Sequence, residues 1–144
     1  MNAGFQLDST LASDSRLLAQ GPLSQLRLMD DLRYPWLLLV PRVPGAGELT
    51  DLDDAATALL VAEIRQASQL LRAGFAFDKL NVAALGNIVA QLHVHLVART
   101  RGDPAWPAPV WGQGVRQPLS PAQFEHRSSL LPLPPFWTPA RQAP

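Results

Sequence analysis

The sequence predicts an α+β fold in which one antiparallel β-sheet carries one long and one short α-helix. Three observations predict it. Apolar residues recur at helical spacing from Leu52 to Leu71. Two alternating stretches, 79–85 and 92–99, flank a Gly86-Asn87 turn signal and lie close enough in sequence to pair antiparallel. Trp36-Leu37-Leu38-Leu39-Val40 is a continuous apolar run of strand length, stopped by Pro41.

Taken in order, Phe5, Leu7 and Leu11, then Leu17 and Leu18, suggest a short strand followed by a helical turn, and Gly21-Pro22 ends the segment. Leu26 to Met29 alternates around Arg27 and is predicted as a strand. Asp30 to Pro35 forms a turn, because Pro35 restricts its predecessor and the carboxylates favour local backbone bonding. The Trp36–Val40 strand is expected to be buried on both faces, with a loop at Pro44, Gly45 and Gly47. Thr50 or Asp51 is the expected cap of the long helix. Asp53 and Asp54 fall in its first turn, where the helix dipole favours negative charge. Leu52, Ala56, Leu60, Ile64, Ala67 and Leu71 share its core face, and Gly74 suits the left-handed position after its end. No catalytic part is expected of this helix. In strand 79–85, Leu80, Val82 and Ala84 face one way and Asn81 the other. Residues 101–117 are rich in Pro, Gly and Trp and are expected to be irregular. Ser120 caps the short helix, with Pro121 at its first position and Phe124, Leu130 and Leu131 as apolar contacts. The prolines of the tail exclude helix there, leaving Phe136 and Trp137 to dock it.

At 144 residues, 47% hydrophobic and 17% charged, the chain is expected to form a single domain over 1–144 with a genuine core. Its 12 basic and 12 acidic residues balance, which argues against a general nucleic-acid or membrane-surface binder. A bound phosphate therefore requires a local site. The absence of cysteine removes disulfides and thiolate metal sites from consideration. Met1-Asn2-Ala3-Gly4-Phe5 lacks a basic, then apolar, leader pattern, and the longest apolar run is too short for a bilayer, so a soluble cytoplasmic protein is the expectation.

Gln91-Leu92-His93-Val94-His95-Leu96-Val97-Ala98-Arg99 carries the chemistry. Period-two alternation sends Leu92, Val94, Leu96 and Ala98 to the core and Gln91, His93, His95 and Arg99 to the opposite face, expected to be open to solvent or ligand. The two imidazoles then stand roughly 7 Å apart along the backbone. Three readings of the pair compete. It is a pair of solvated strand histidines; it is two ligands of a zinc ion completed by His126 or a carboxylate; or one histidine attacks phosphorus while its neighbour stabilises charge.

The segment from Asn81 through Gly86-Asn87-Ile88-Val89-Ala90-Gln91-Leu92-His93-Val94-His95-Leu96-Val97 resembles the histidine triad (HIT) signature, His-φ-His-φ-His-φ-φ with φ apolar. The run Leu37–Arg42 is similar to that family's strand ending in a Pro-basic pair. The resemblance covers about residues 23–112, leaving a short helix and Pro-rich tail over 118–144. It implies a HIT-like fold and a nucleotide phosphoramidate or dinucleoside polyphosphate hydrolase, or a nucleotidyl transferase, acting at the α-phosphate. It implies His93 as nucleophile and His95 as stabiliser of the phosphate and leaving group. Gln91 stands where the family has its first histidine, expected to orient the nucleophile. Asn81, Gly86, Asn87, Ile88 and Val89 are the implied phosphate-binding residues, and Asp30 the ribose-binding acid. Ile88 replaces a frequent hydroxyl, leaving its backbone N–H for the phosphate. The implied ligand is a purine nucleotide or conjugate, with no cofactor or metal, in a homodimer whose sheets join. Gln91 favours the contrasting reading of a nucleotide-binding module with weakened catalysis. Arg99 is expected to be solvent-facing support, and Trp106 and Trp111 to close over the leaving group or pack on a partner subunit.

Overall fold

The computed structural model describes residues 4–140. The first three residues of the opening segment and the last four of the Pro-rich tail lie outside the described residues. The element order is α1 (Ser9–Asp14), β1 (Ser15–Gln20), β2 (Ser24–Met29), β3 (Trp36–Pro41), α2 (Asp54–Gly74), β4 (Lys79–Ala83), β5 (Val94–Arg99), α3 (Pro121–Ser129) and β6 (Thr138–Pro139). The six strands form one sheet in the order β4-β5-β3-β2-β1-β6 with every neighbouring pair antiparallel. The α+β class is therefore as the sequence predicts.

The opening segment differs from expectation. Helix comes first, started by Asp8, whose side chain accepts from the N–H groups of Thr10 and Leu11. Leu17 and Leu18 belong to the strand that follows. A side-chain cap overrode the weak apolar spacing used to place that strand.

The long helix starts later than expected. A 3-10 turn occupies Leu49–Asp51, and Asp53 is the cap, accepting from the Ala56 N–H at 2.8 Å. Gly74 is its last residue rather than a left-handed one; a side chain there would strike the Leu130 carbonyl, so glycine permits close approach of the α3 end. At α3, Ser120 and Gln123 form the reciprocal capping box with Pro121 at the first position.

The sheet has two covered faces. On one, α2 packs Leu60, Ala67, Leu70 and Leu71 against Leu26, Leu28, Leu37, Leu39, Val94 and Leu96. The other carries a smaller cluster of Leu11, Tyr34, Trp36, Leu38, Val40, Val97, Ala105 and Val110, roofed by α1 and the irregular 101–117 segment. β3, in mid-sheet, is buried along its whole length. Trp137 of the tail is buried in the α2-side core, and β6 hydrogen-bonds to β1. Among the described residues no helix is long and apolar enough to cross a membrane.

Candidate active site

Strand alternation sets the site. Val94 and Leu96 of β5, with Leu92 before it, enter the α2-side core, so His93, His95 and Val97 point to the other face. That face is not open to solvent as expected: the roof over it leaves His93 7% and His95 6% exposed. Their ring centroids lie 4.9 Å apart.

Each ring is held by one nitrogen. Nδ1 of His93 lies 2.6 Å from the Gln91 carbonyl oxygen. A carbonyl only accepts, so this bond requires the hydrogen on Nδ1 and leaves the Nε2 lone pair free in the neutral ring. At His95 the polarity is reversed, because the Trp36 indole N–H donates to Nδ1 at 3.1 Å. That nitrogen must be unprotonated, and the hydrogen of the neutral ring sits on Nε2. Burial, and secondarily the neighbouring His93, lower the His95 pKa from the usual 6.5 to about 3. His95 is thus neutral at physiological pH. Neither Nε2 has a hydrogen-bond partner among the described residues.

Both histidines line a cavity of about 280 Å³, together with Gly86, Asn87, Ile88 and Val89. Thr10, Leu11, Asp14, Met29 and Trp111 complete it from α1, β2 and the irregular segment. Gly86 turns the chain into this loop at φ +78°, a conformation that side chains disfavour. The N–H groups of residues 87–89 donate to nothing among the described residues, and Ile88 is 95% exposed. A second cavity, of about 380 Å³, meets the first at Leu85, Gly86 and His93 and includes Gln91 and Glu48.

Residues 10–102 match the HIT domain. The chain belongs to the histidine triad family. Solved histidine triad proteins resemble this HIT chain along most of its length. One from Bradyrhizobium japonicum is 44% identical, with a TM-score of 0.85, covering 88% of this chain and 95% of that one. One from Sinorhizobium meliloti is 38% identical, with a TM-score of 0.87 over 90% and 96%. One from Marinobacter aquaeolei is 41% identical, with a TM-score of 0.85 over 88% and 92%. Among curated proteins nothing matches the chain. HIT proteins are in general nucleotide hydrolases and transferases.

Several residues singled out in the sequence lie elsewhere in this HIT fold. Asn81 lines neither cavity; its Oδ1 accepts from Arg99 at 2.9 Å. Arg99 is not solvent-facing but 1% exposed, because it pairs with Asp103 at 2.7 Å and donates to the Ala108 carbonyl at 2.8 Å. Asp30 anchors the 116–119 segment, accepting from the Leu119 N–H at 2.7 Å. The Asp that lines the cavity is Asp14. Trp106 lies over the Arg99 guanidinium, away from the histidines. Trp111, by contrast, packs on His95 and Trp36 with centroids 5.2 and 6.1 Å away. Gln91 accepts from the Asp8 N–H and donates to the Gln6 carbonyl, both at 2.8 Å, so its side chain secures the opening segment. His126 is exposed on α3, and no group of three His, Cys, Asp or Glu residues able to hold a metal ion occurs among the described residues.

Trp36 is the residue that sequence reasoning missed. Leu38 pairs with His95 and Trp36 with Val97, which makes Trp36 a diagonal neighbour of His95 on the same face. The available signal was a tryptophan in a fully buried strand, since its N–H must find an acceptor.

Proposed function

We propose that this HIT protein cleaves a nucleotide conjugate at the α-phosphate through a covalent nucleotidyl-His93 intermediate. The observation that carries the reading is the opposed hydrogen bonding of the two imidazoles: one presents an Nε2 lone pair and the other an Nε2–H to the same cavity. Attack by Nε2 of His93 forms an N–P bond as the bond from phosphorus to the leaving group breaks. Water then displaces the imidazole, releasing the nucleoside monophosphate and a proton. The Nε2–H of His95 and the unengaged N–H groups of residues 87–89 would meet the charge on the phosphoryl oxygens. Gly86 lets the loop turn close to the phosphate. Gln91 supports the nucleophile through its backbone carbonyl, so loss of an imidazole at that position leaves the orienting contact intact.

The nucleotide would be a purine conjugate, a phosphoramidate or a dinucleoside polyphosphate, with Asp14 rather than Asp30 the carboxylate lining the cavity where a ribose would lie. A cytoplasmic homodimer with joined sheets belongs to the same reading; the outer strand β4, paired among the described residues only with β5, offers the edge for it. The test is incubation with adenosine 5′-phosphoramidate and with a dinucleoside polyphosphate, following AMP release and trapping labelled protein by rapid quench. An acid-labile, base-stable adduct is expected on the wild type and absent from His93→Ala. Nucleotide binding without release of AMP would favour the catalytically weakened module.

A further inference from the structure

We infer that Trp36 is a positioning residue that locks His95 as a hydrogen-bond donor with no proton to surrender, so that the site takes substrates whose leaving groups depart as anions. The inference rests on the proposed attack by His93 and adds the class of leaving group.

The geometry restricts what His95 can do. With the Trp36 N–H pointing at Nδ1, protonating that nitrogen would set two donors against each other in a buried place. Trp36 packs against the His95 ring at a centroid distance of 5.6 Å and is itself 5% exposed, so the indole cannot readily turn away. Trp111 and His93 pack against it as well, with ring centroids 5.2 and 4.9 Å away, which leaves the cavity as its open side. The one carboxylate lining the same cavity, Asp14 of α1, pairs with Arg116 and bonds to neither imidazole, and burial keeps the ring neutral well below neutral pH. A neutral imidazole that gave away its Nε2 proton would become an imidazolate, a base so strong that one indole N–H bond does not bring that ionisation near neutral pH.

His95 can therefore stabilise phosphoryl oxygens but cannot act as a general acid. When the P–X bond breaks, the electron pair leaves on X. A phosphate or polyphosphate carries that pair as a stable anion and needs no proton at the moment of departure. An amine or alkoxide needs one, and general-acid help of that kind contributes roughly 10²–10⁴-fold where it exists. The fitting substrates are phosphoanhydrides of nucleoside monophosphates.

The tautomer is tested without turnover. In ¹⁵N-histidine-labelled wild type, His95 is expected as the Nε2–H tautomer at pH 7 and still neutral at pH 5. Trp36→Phe should give mixed tautomers and raise the His95 pKa by about one unit or more, the worth of one hydrogen bond. Trp111→Phe, which removes an indole of equal bulk without a bond to the ring, should leave the tautomer unchanged. An Nδ1–H ring, a cation at pH 6 in the wild type, or equal effects of the two tryptophan variants would overturn the inference. For the leaving group, kcat/KM for a dinucleoside polyphosphate should exceed that for adenosine 5′-phosphoramidate by roughly 10²-fold. Equal values would refute the leaving-group claim. If no substrate turns over, the proposed hydrolase and this leaving-group preference both fall, while the NMR result still decides the role of Trp36.

Discussion

Two buried polar sites, one on each face of the sheet, teach how to tell structure from chemistry. On the α2 face, Glu63 is 0% exposed. Its carboxyl accepts from the backbone N–H groups of Leu23 and Ser24 at 3.2 and 2.8 Å and from the Ser24 hydroxyl at 2.8 Å. Trp137 and Gly21 fill the space around it, so no ligand can approach. On the other face, His93 and His95 are nearly as buried, yet each ring spends one nitrogen on the protein and turns the other to a cavity. Burial alone is common to both. Of the two titratable groups, the histidines turn unused hydrogen-bonding capacity toward a cavity and Glu63 does not, and that is the mark of a site.

The largest expected effect breaks the comparison most directly. His93→Ala should lower AMP release on the order of 10⁴-fold or more, because no neighbouring side chain can form the same intermediate. Its urea-unfolding midpoint should change far less than its rate. Near-normal turnover in this variant would remove the proposed nucleophile. His95→Ala should cost roughly 10²–10³ in kcat, the loss of one charge-stabilising donor. If His95→Ala abolishes turnover while His93→Ala retains it, the two roles are exchanged.

Glu63→Leu should behave in the opposite sense. It leaves buried N–H groups of residues 23 and 24 without their acceptor, and unfolding free energy should drop by about 3 kcal/mol. Activity per folded molecule, measured well below the melting temperature, should stay within a few-fold of the wild type.

The two sites also respond oppositely to pH. His95 has its folded pKa lowered to about 3, below the unfolded 6.5, so the folded state excludes a proton that the unfolded chain binds. Its contribution is intact above pH 6.5 and declines as pH falls toward 3, by up to about 1.4 kcal/mol per unit. Burial raises the Glu63 pKa, so its contribution is present at low pH and declines as pH rises through the raised value. Urea unfolding in steps from pH 8 to pH 4 checks this: relative to the wild type, His95→Asn should lose stability less on acidification, and Glu63→Gln more.

The smallest effect sharpens the role of Gln91. Gln91→His keeps the backbone carbonyl that holds His93 but disturbs the contacts to Gln6 and Asp8. We expect less than a tenfold change in kcat and a loss of about 1 kcal/mol in stability. A large gain in rate would mean that a first imidazole adds chemistry which the carbonyl alone does not.

The sequence was most legible where one short-range period governs. Alternation around His93 and His95 separated core-facing from site-facing residues, and the 3.6-residue period located α2, because both patterns record which side of an element loses water. The Gly86 turn was legible for a similar reason, being a local backbone requirement. Side-chain partnerships across the chain were not. Arg99 looked like a surface charge until Asp103, Asn81 and the Ala108 carbonyl closed around it, and nothing local in the sequence told that Asp30 accepts from the Leu119 N–H and lies outside the lining of the cavity.

By itself, then, the sequence determined the sheet-and-helix pattern and the face on which the two histidines stand, since each follows from spacing along one element. Tertiary structure alone decided that this face is roofed, that Asp14 rather than Asp30 lines the cavity, and that Trp36 directs its N–H at His95. The site of the proton on each imidazole depends on one acceptor and one donor a few ångströms away. The acceptor for His93 is a nearby backbone carbonyl; the donor to His95 comes from 59 residues back, brought beside it by the β3–β5 register. Hydrogen bonds of that kind are short-ranged in space and indifferent to sequence separation, so only the folded chain specifies them.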